Sequence, residues 1–427
     1  MRRSNSAFVL GVSTPNGVGV VRSLGREGIP LVAVDFVKKA PGLRSRYARP
    51  LLVPDPVKDP QGVLDILLRD GDSGSRSVLY PTSDAFVLFM SRYRDELSER
   101  FIFNIPSERV LEGMVNKRLQ YEEANRVGTP IANTHYPTDM ADIERIEHDL
   151  DYPVFIKPLY SHLWHERFGN KGFKVANPRE LGARFEEIFA AGLEALVQSI
   201  ILGPNTNHVK VCAYYGTDGG LGALFQTRKQ RQYPTEFGVG TIMHSIHDPE
   251  VAKMGLRFFE GVGYRGVGSI EFKLDDRDGK YKMIELNPRL WAQNSQATYA
   301  GVNFSLIEYL DVTGQGMGPA PDWKDNVRWM DSFEDLQAFS WFKDYGMVKR
   351  RDLINSWMTI DCHAYFAWDD LGPVWAHTGG GVEAAKLLVA LGKMGRADRV
   401  SESVRRGYAH LRPRRSMKEA VEVKRTG

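Results

Sequence analysis

The chain has 427 residues, 42% of them apolar and 26% charged, with 56 Lys and Arg against 53 Asp and Glu. That balance is ordinary for a globular chain and excludes wholesale disorder, and the length suggests about three domains of roughly 150 residues each. Two cysteines, Cys212 and Cys362, cannot build a disulfide framework or a cysteine-based structural zinc site.

The apolar run Ala7–Val12 breaks at Ser13-Thr14-Pro15-Asn16, too early for a secretory signal, and no stretch approaches about 18 apolar residues. A reduced-compartment, cytoplasmic enzyme is the expectation. Ala7–Gly11 reads as a buried strand, Val18–Arg26 as a helix and Leu31–Asp35 as the next strand. Strand, crossover helix and strand in such a short span predict a right-handed parallel βαβ unit. Ser77–Tyr80 is a further strand, followed by Pro81-Thr82-Ser83-Asp84. Ser13, Asn16, Thr82 and Asp84 are therefore expected at one crevice, at the C-terminal ends of the strands. Gly11, Gly17 and Gly19 invite a dinucleotide reading, but a proline interrupts the first gap and the spacing is wrong. A tight turn and close helix packing explain them better than NAD does.

A helix over Glu108–Val127 leads to Gly128-Thr129-Pro130, and Tyr152-Pro153 introduces the strand Val154–Lys157, which Pro158 stops. Residues 178–193 read as a helix, Leu196–Leu202 as a strand, and alternation resumes through Val209–Tyr215 and Leu221–Thr227. Gly314–Pro321 is the best linker, and six of the eight tryptophans follow it between Trp323 and Trp375, which predicts a small aromatic core. From Lys393 to Gly427, eleven Lys/Arg stand against four Asp/Glu. Such a tail can track an anionic surface; the plainer alternative is a solvated terminus.

The most informative stretch is a hairpin, Ser269–Leu274 and Lys280–Asn287 around a turn rich in Asp and Gly. Pairing symmetric about Asp278 sets Glu271 opposite Glu285, puts Ile270, Phe272 and Leu274 on a face with Ile284 and Leu286, and returns Asn287 to the carboxylate face. Like charges placed directly opposite destabilise a sheet, so either solvent or a cation must make this pair tolerable. Two carboxylates and an amide oxygen form a hard donor set suited to magnesium. Magnesium held this way usually takes phosphate ligands too, and Lys157, at the end of an apolar strand, and Lys117, near the start of a helix, are placed for them.

In this order and spacing, the pieces resemble the ATP-grasp superfamily. The matching segments are Asn116-Lys117 with Gly128-Thr129-Pro130, Tyr152–Pro158, Leu196–Gly203, and Glu271 with Ile284-Glu285-Leu286-Asn287-Pro288-Arg289. The likeness covers roughly residues 5–310 and is nearest to carboxylate–amine ligases of the D-aspartate ligase type, with Arg228–Pro234 resembling a segment of that group. It implies that Lys117 and Lys157 contact ATP phosphates. Gln198, Ser199, Ile200 and Ile201 would form the hinge strand at the adenine edge. Asn205 would stand where an acidic ribose-binding residue is frequent. Glu271, Glu285 and Asn287 would hold one or two Mg2+ ions, and Arg289 would lie near the transferred phosphoryl group. Lys229, Arg231 and Arg289 are the candidates for an anionic carboxylate substrate. The loop Leu159–Gly172, with His162, His165, Arg167 and Lys171, would close over the phosphates.

The expected fold is α/β: an open parallel α/β domain over residues 1–114, a two-subdomain α+β ATP-grasp core over 115–194 and 195–312, and an aromatic-rich region with a basic tail over 313–427. The expected activity is an ADP-forming ligase that activates a carboxylate as an acylphosphate and joins it to an amine. The alternatives are a non-catalytic Mg-ATP sensor or scaffold and a bicarbonate- or carbamate-activating enzyme. Small-molecule substrates are the expected partners, with no nucleic acid; peripheral contact with an anionic surface and a homodimer stay open.

Overall fold

Five short strands open the chain: Ala7–Leu10 (β1), Leu31–Asp35 (β2), Ala48–Leu52 (β3), Ser77–Pro81 (β4) and Phe101–Ile102 (β5). They form a parallel sheet in the order β3-β2-β1-β4-β5. β1, β2 and β4 are buried throughout, which is why they read as unbroken apolar runs. The computed structural model describes residues 5–379 apart from 72–73, 160–163, 165–166, 171, 235–237 and 345–349. The basic tail and His162, His165 and Lys171 lie outside the described residues.

The first crossover helix, Pro15–Gly25, starts at Pro15, whose fixed φ suits the first turn. A Cβ at Gly17 would stand 2.6 Å from the Gly11 carbonyl oxygen, and one at Gly19 would stand 2.2 Å from the Asn294 side chain. Both glycines serve close packing. The stretch expected as one helix over Glu108–Val127 is two, Glu108–Val115 and Lys117–Arg126. Asn116 leaves helical geometry, and its side chain accepts from the amides of Arg118 and Leu119 as the cap of the second helix.

Thr134–His135 (β6), Val154–Pro158 (β7), Phe173–Val175 (β8) and Ala195–Ser199 (β9) make an antiparallel sheet in the order β6-β9-β7-β8. The helix Pro178–Ala190 buries Leu181, Phe185 and Ile188 against Val154, Ile156 and Val197 of that sheet. It is capped by Asn177 and has proline in its first turn.

The largest sheet comprises His208–Tyr215 (β10), Leu221–Tyr233 (β11), Val239–Ser245 (β12), Gly266–Asp275 (β13), Lys280–Asn287 (β14), Arg328–Met330 (β15) and Cys362–His363 (β16). Its order is β14-β13-β10-β11-β12-β15-β16. β11 runs well past Thr227, the end expected from alternation. The sheet also crosses the division at 312/313, because β15 and β16 extend it. Trp329 is buried there, whereas Trp368 is 84% and Trp375 54% exposed, so the aromatic-rich stretch is only in part a core. One apolar cluster joins Val9, Val20 and Tyr80 of the first domain to Tyr214, Phe225, Trp291 and Phe304, seating that domain on the large sheet. The fold is thus mixed α/β, with a parallel N-terminal sheet and a mixed sheet beyond it. Among the described residues, no helix is long and apolar enough to cross a membrane.

Candidate functional site

Lys157 leaves β7 beside β9, in register with Leu196. Its Nζ donates to Gln198 Oε1 at 2.7 Å and to Tyr121 Oη at 3.2 Å. Both partners are neutral, and burial pushes the lysine down to about 8 even though the Glu285 carboxylate acts in the opposite sense. Tyr121 Oη in turn donates to the Ile284 carbonyl at 2.8 Å. Tyr121 therefore bridges the small sheet and the end of the β13–β14 hairpin. Lys117 heads its helix, where a cation opposes the helix dipole and an incoming anion would relieve it. Gln198 and Ser199 end β9, and the Ser199 hydroxyl is buried without a hydrogen-bond partner. Ile200 and Ile201 follow, their carbonyls accepting from Arg277 and Lys273. Asn205 begins a single 3-10 turn, Asn205–Asn207, and is half-buried.

Across the large sheet Glu271 pairs with Glu285, and Ser269 with Asn287, in the register read from the hairpin. A bulge between Glu271 and Phe272 then shifts the pairing, so Phe272 opposes Met283, and Met283 rather than Ile284 joins the buried face. On its other side Glu271 pairs with Lys210 of β10, whose Nζ lies 2.9 Å from Glu271 Oε1. Lys229 Nζ lies 4.0 Å from Oε2. Neither solvent nor a bound ion is needed to explain how the two glutamates tolerate each other here, because an ammonium group already stands in the row. Desolvation would raise the Glu271 carboxyl, but Lys210 and Lys229 outweigh it and hold it well below the usual carboxylate range. The neighbouring His208 is pushed down to about 3 by burial and by Lys229, so it is neutral. These groups line a cavity with Gln293, whose Oε1 is buried without a partner.

Asn287 donates to Glu285 Oε1 at 3.3 Å, and Arg289 donates to Asn287 Oδ1 at 3.3 Å. Arg289 also grips Asp84 of the first domain, with Nε 2.7 Å from Oδ1 and Nη2 3.3 Å from Oδ2. Asp84 heads the helix after β4, so the crevice read from the sequence adjoins the hairpin. Arg231 goes elsewhere. The register of β11 shifts on either side of it, and its guanidinium forms a fork with the fully buried Asp335 at 2.9 and 2.7 Å. Asp335 also accepts from Thr241 and Trp357, so Arg231 ties β11 to the helices Ser332–Asp344 and Arg350–Trp357. Arg167 is exposed and lies over the Phe168 ring.

The donor chemistry fits magnesium at Glu285 and Asn287, two hard oxygen ligands in hydrogen-bond contact with each other, with Glu271 engaged by lysines. Among the described residues, no group of three or more His, Cys, Asp or Glu could hold a metal ion by itself. The unpartnered Ser199 hydroxyl and the lysine without an anion at β7 likewise fit a phosphate-bearing nucleotide. Lys210, His208, Gln293 and Tyr121 escaped the sequence reading. Lys210 carried the same signal as Lys157, a lone lysine inside an apolar strand; the other three carried none.

The profile for the ATP-binding domain of the carbamoyl-phosphate synthase L chain matches residues 244–304. D-aspartate ligase of Enterococcus faecium is 25% identical over 280 residues, covering 62% of this chain and 66% of the ligase, just under two thirds of its length. The biotin carboxylase domain of 2-oxoglutarate carboxylase from Hydrogenobacter thermophilus, solved as a dimer with MgADP, ADP and bicarbonate, superposes with a TM-score of 0.60 at 17% identity, covering 77% of this chain and 74% of that one. N5-carboxyaminoimidazole synthetase from Staphylococcus aureus, complexed with ADP, gives 0.60 at 14% identity over 78% and 83%. At such identities the structural likeness speaks for the fold. In fold this chain is similar to ATP-grasp enzymes, and in sequence it is similar to D-aspartate ligase and, over residues 244–304, to the ATP-binding domain of the carbamoyl-phosphate synthase L chain.

Proposed function

We propose that this protein is an ATP-dependent, ADP-forming ligase that activates a carboxylate as an acylphosphate and joins it to an amine. The observation that carries the reading is Lys157 of the small sheet, hydrogen-bonded to Tyr121, which donates to the Ile284 carbonyl beside Glu285 of the large sheet. A charge without an anion on one sheet and hard oxygens on the other suit a polyphosphate and its metal.

A carboxylate is a poor electrophile at neutral pH. Attack of its oxygen on the γ-phosphorus breaks the bond to the β-bridging oxygen and releases ADP, leaving an acylphosphate. The amine nitrogen then attacks the acyl carbon, phosphate leaves with the bond electrons, and the amine loses a proton as the amide forms. Such chemistry asks the protein for position and charge compensation above all. Lys157 and Lys117 supply charge to the phosphates, and Gln198–Ile201 carry the base. Glu285 and Asn287 would hold Mg2+, which would supply neutralisation of phosphate charge. Arg289, oriented by Asp84, and Lys229 attract the substrate carboxylate, while Arg231 acts as a tether through Asp335. Residues 1–114 and the core from 115 onward, to which β15 and β16 beyond 312 contribute, are the units of this reading, in a cytoplasmic setting with small-molecule partners.

The test is a phosphate-release screen over amino acids, D-amino acids and peptide-like amines, with a bicarbonate-only arm. ADP and phosphate released in equal amounts, only when both an acid and an amine are present, are expected. Release on bicarbonate alone would move the chain to carbonate activation, the anion bound in the Hydrogenobacter thermophilus relative. Nucleotide binding without release on any pair would make it a sensor.

A further inference from the structure

Glu271 meets a cation that the sheet itself supplies. Lys210 is its cross-strand partner at 2.9 Å on Oε1, and Lys229 approaches Oε2 at 4.0 Å. The side chains of the two lysines are only 11% and 6% exposed. The space beside them, about 10 Å3, is on the order of one water molecule. Glu271 Oε1 is already taken by the Lys210 ammonium at 2.9 Å, so a divalent ion bridging Glu271 to Glu285 would have to displace that ion pair. It would also be repelled by two positive charges within a few ångströms, in a setting where water screens them poorly. Glu285, the next residue in the same row, lies beyond Glu271 from Lys210 and meets the Asn287 amide instead.

We infer that Lys210 is a fixed internal cation standing where a second metal ion would otherwise bridge the glutamates, so that this protein takes Mg-ATP with a single ion, held by Glu285 and Asn287. The inference rests on the ATP-binding reading above. Under it, the carboxylate row Glu285–Glu271 is divided: one glutamate serves the exchangeable ion and the other anchors the lysine. Lys210 is a positioning residue in this scheme, fixing which carboxylate is free to bind metal.

The test counts metal ions. The full chain, saturated with a non-hydrolysable ATP analogue, is titrated with Mn2+ while free Mn2+ is read by electron paramagnetic resonance and bound analogue by equilibrium dialysis. Wild type is expected to bind one Mn2+ per chain, Lys210→Arg one, and Lys210→Met two, with Mn2+ raising the melting temperature of Lys210→Met more than that of wild type. Two ions in wild type, or a single ion in folded Lys210→Met, would overturn the inference while leaving ATP binding intact. Wild type that binds no analogue would overturn the ATP reading and this inference with it. Should Lys210→Met not fold, the counts for wild type and Lys210→Arg decide between one ion and two.

Discussion

Two lysines sit in apolar strands of this molecule, and their surroundings are opposite. Lys157 of β7 meets a tyrosine hydroxyl and a glutamine oxygen, and burial pushes it down to about 8. Lys210 of β10 meets a carboxylate at 2.9 Å, and its proton is held more tightly than that of an ordinary lysine: burial works against it, but Glu271 outweighs the burial. The sequence signal is the same for both. The difference lies in the cross-strand neighbour, Leu196 for one and Glu271 for the other. A buried cation without its anion reads as a site waiting for a ligand, and one with its anion reads as part of the scaffold.

The contrast breaks most sharply in activity. Lys157→Ala and Glu285→Ala should each lower substrate-dependent ADP release by about 10³-fold or more, as loss of phosphate charge compensation does, while the chains stay folded. Turnover like that of wild type in either variant, measured by coupled ADP assay, would remove Lys157 and Glu285 from the chemistry. Stability should divide the lysines the other way. Lys210→Ala leaves Glu271 buried without its closest partner and should cost about 3–5 kcal/mol in urea unfolding, whereas Lys157→Ala removes a poorly solvated charge and should cost little or add stability. Equal losses for the two would erase the distinction.

The pH dependence sharpens the comparison further. Because Lys157 loses its proton more readily in the folded chain than in the unfolded one, its cost to stability is full below about pH 8 and fades as pH rises through that value. Phosphate binding favours the charged lysine, so ATP affinity should fall as pH rises above about 8, by up to roughly tenfold per unit. Calorimetric titrations at pH 7, 8, 9 and 9.5 check this, and a flat profile would contradict it. The smallest stability effect is expected at the Arg289–Asp84 pair, where Asp84 is 55% exposed. Asp84→Ala should change stability by less than about 1 kcal/mol while raising KM for the carboxylate substrate. A fall in kcat with unchanged KM would argue against Asp84 orienting Arg289.

Much of the fold was legible in the sequence because burial writes itself into short apolar runs. β1, β2, β4 and β7 were found that way, and the hairpin register through Glu271 and Glu285 followed from the turn. What escaped was set by partners distant in sequence. No local pattern announces that Asp335 captures Arg231 or that Asp84 captures Arg289. The bulge after Glu271 likewise substitutes Met283 for Ile284 without any glycine or proline to mark it. The split at Asn116 was there to be read as a helix cap. The Lys210–Glu271 contact needed the strand order, because β10 and β13 are adjacent in the sheet but far apart in the chain.

The most direct measurement is calorimetric titration of Mg-ATP into the full chain and into Lys157→Met and Lys210→Arg at pH 7. The account predicts one nucleotide per wild-type chain, affinity weakened about 10²-fold or more in Lys157→Met at a melting temperature no lower than that of wild type, and near wild-type affinity in Lys210→Arg. Absence of binding in wild type, or equal affinity in Lys157→Met, would contradict it.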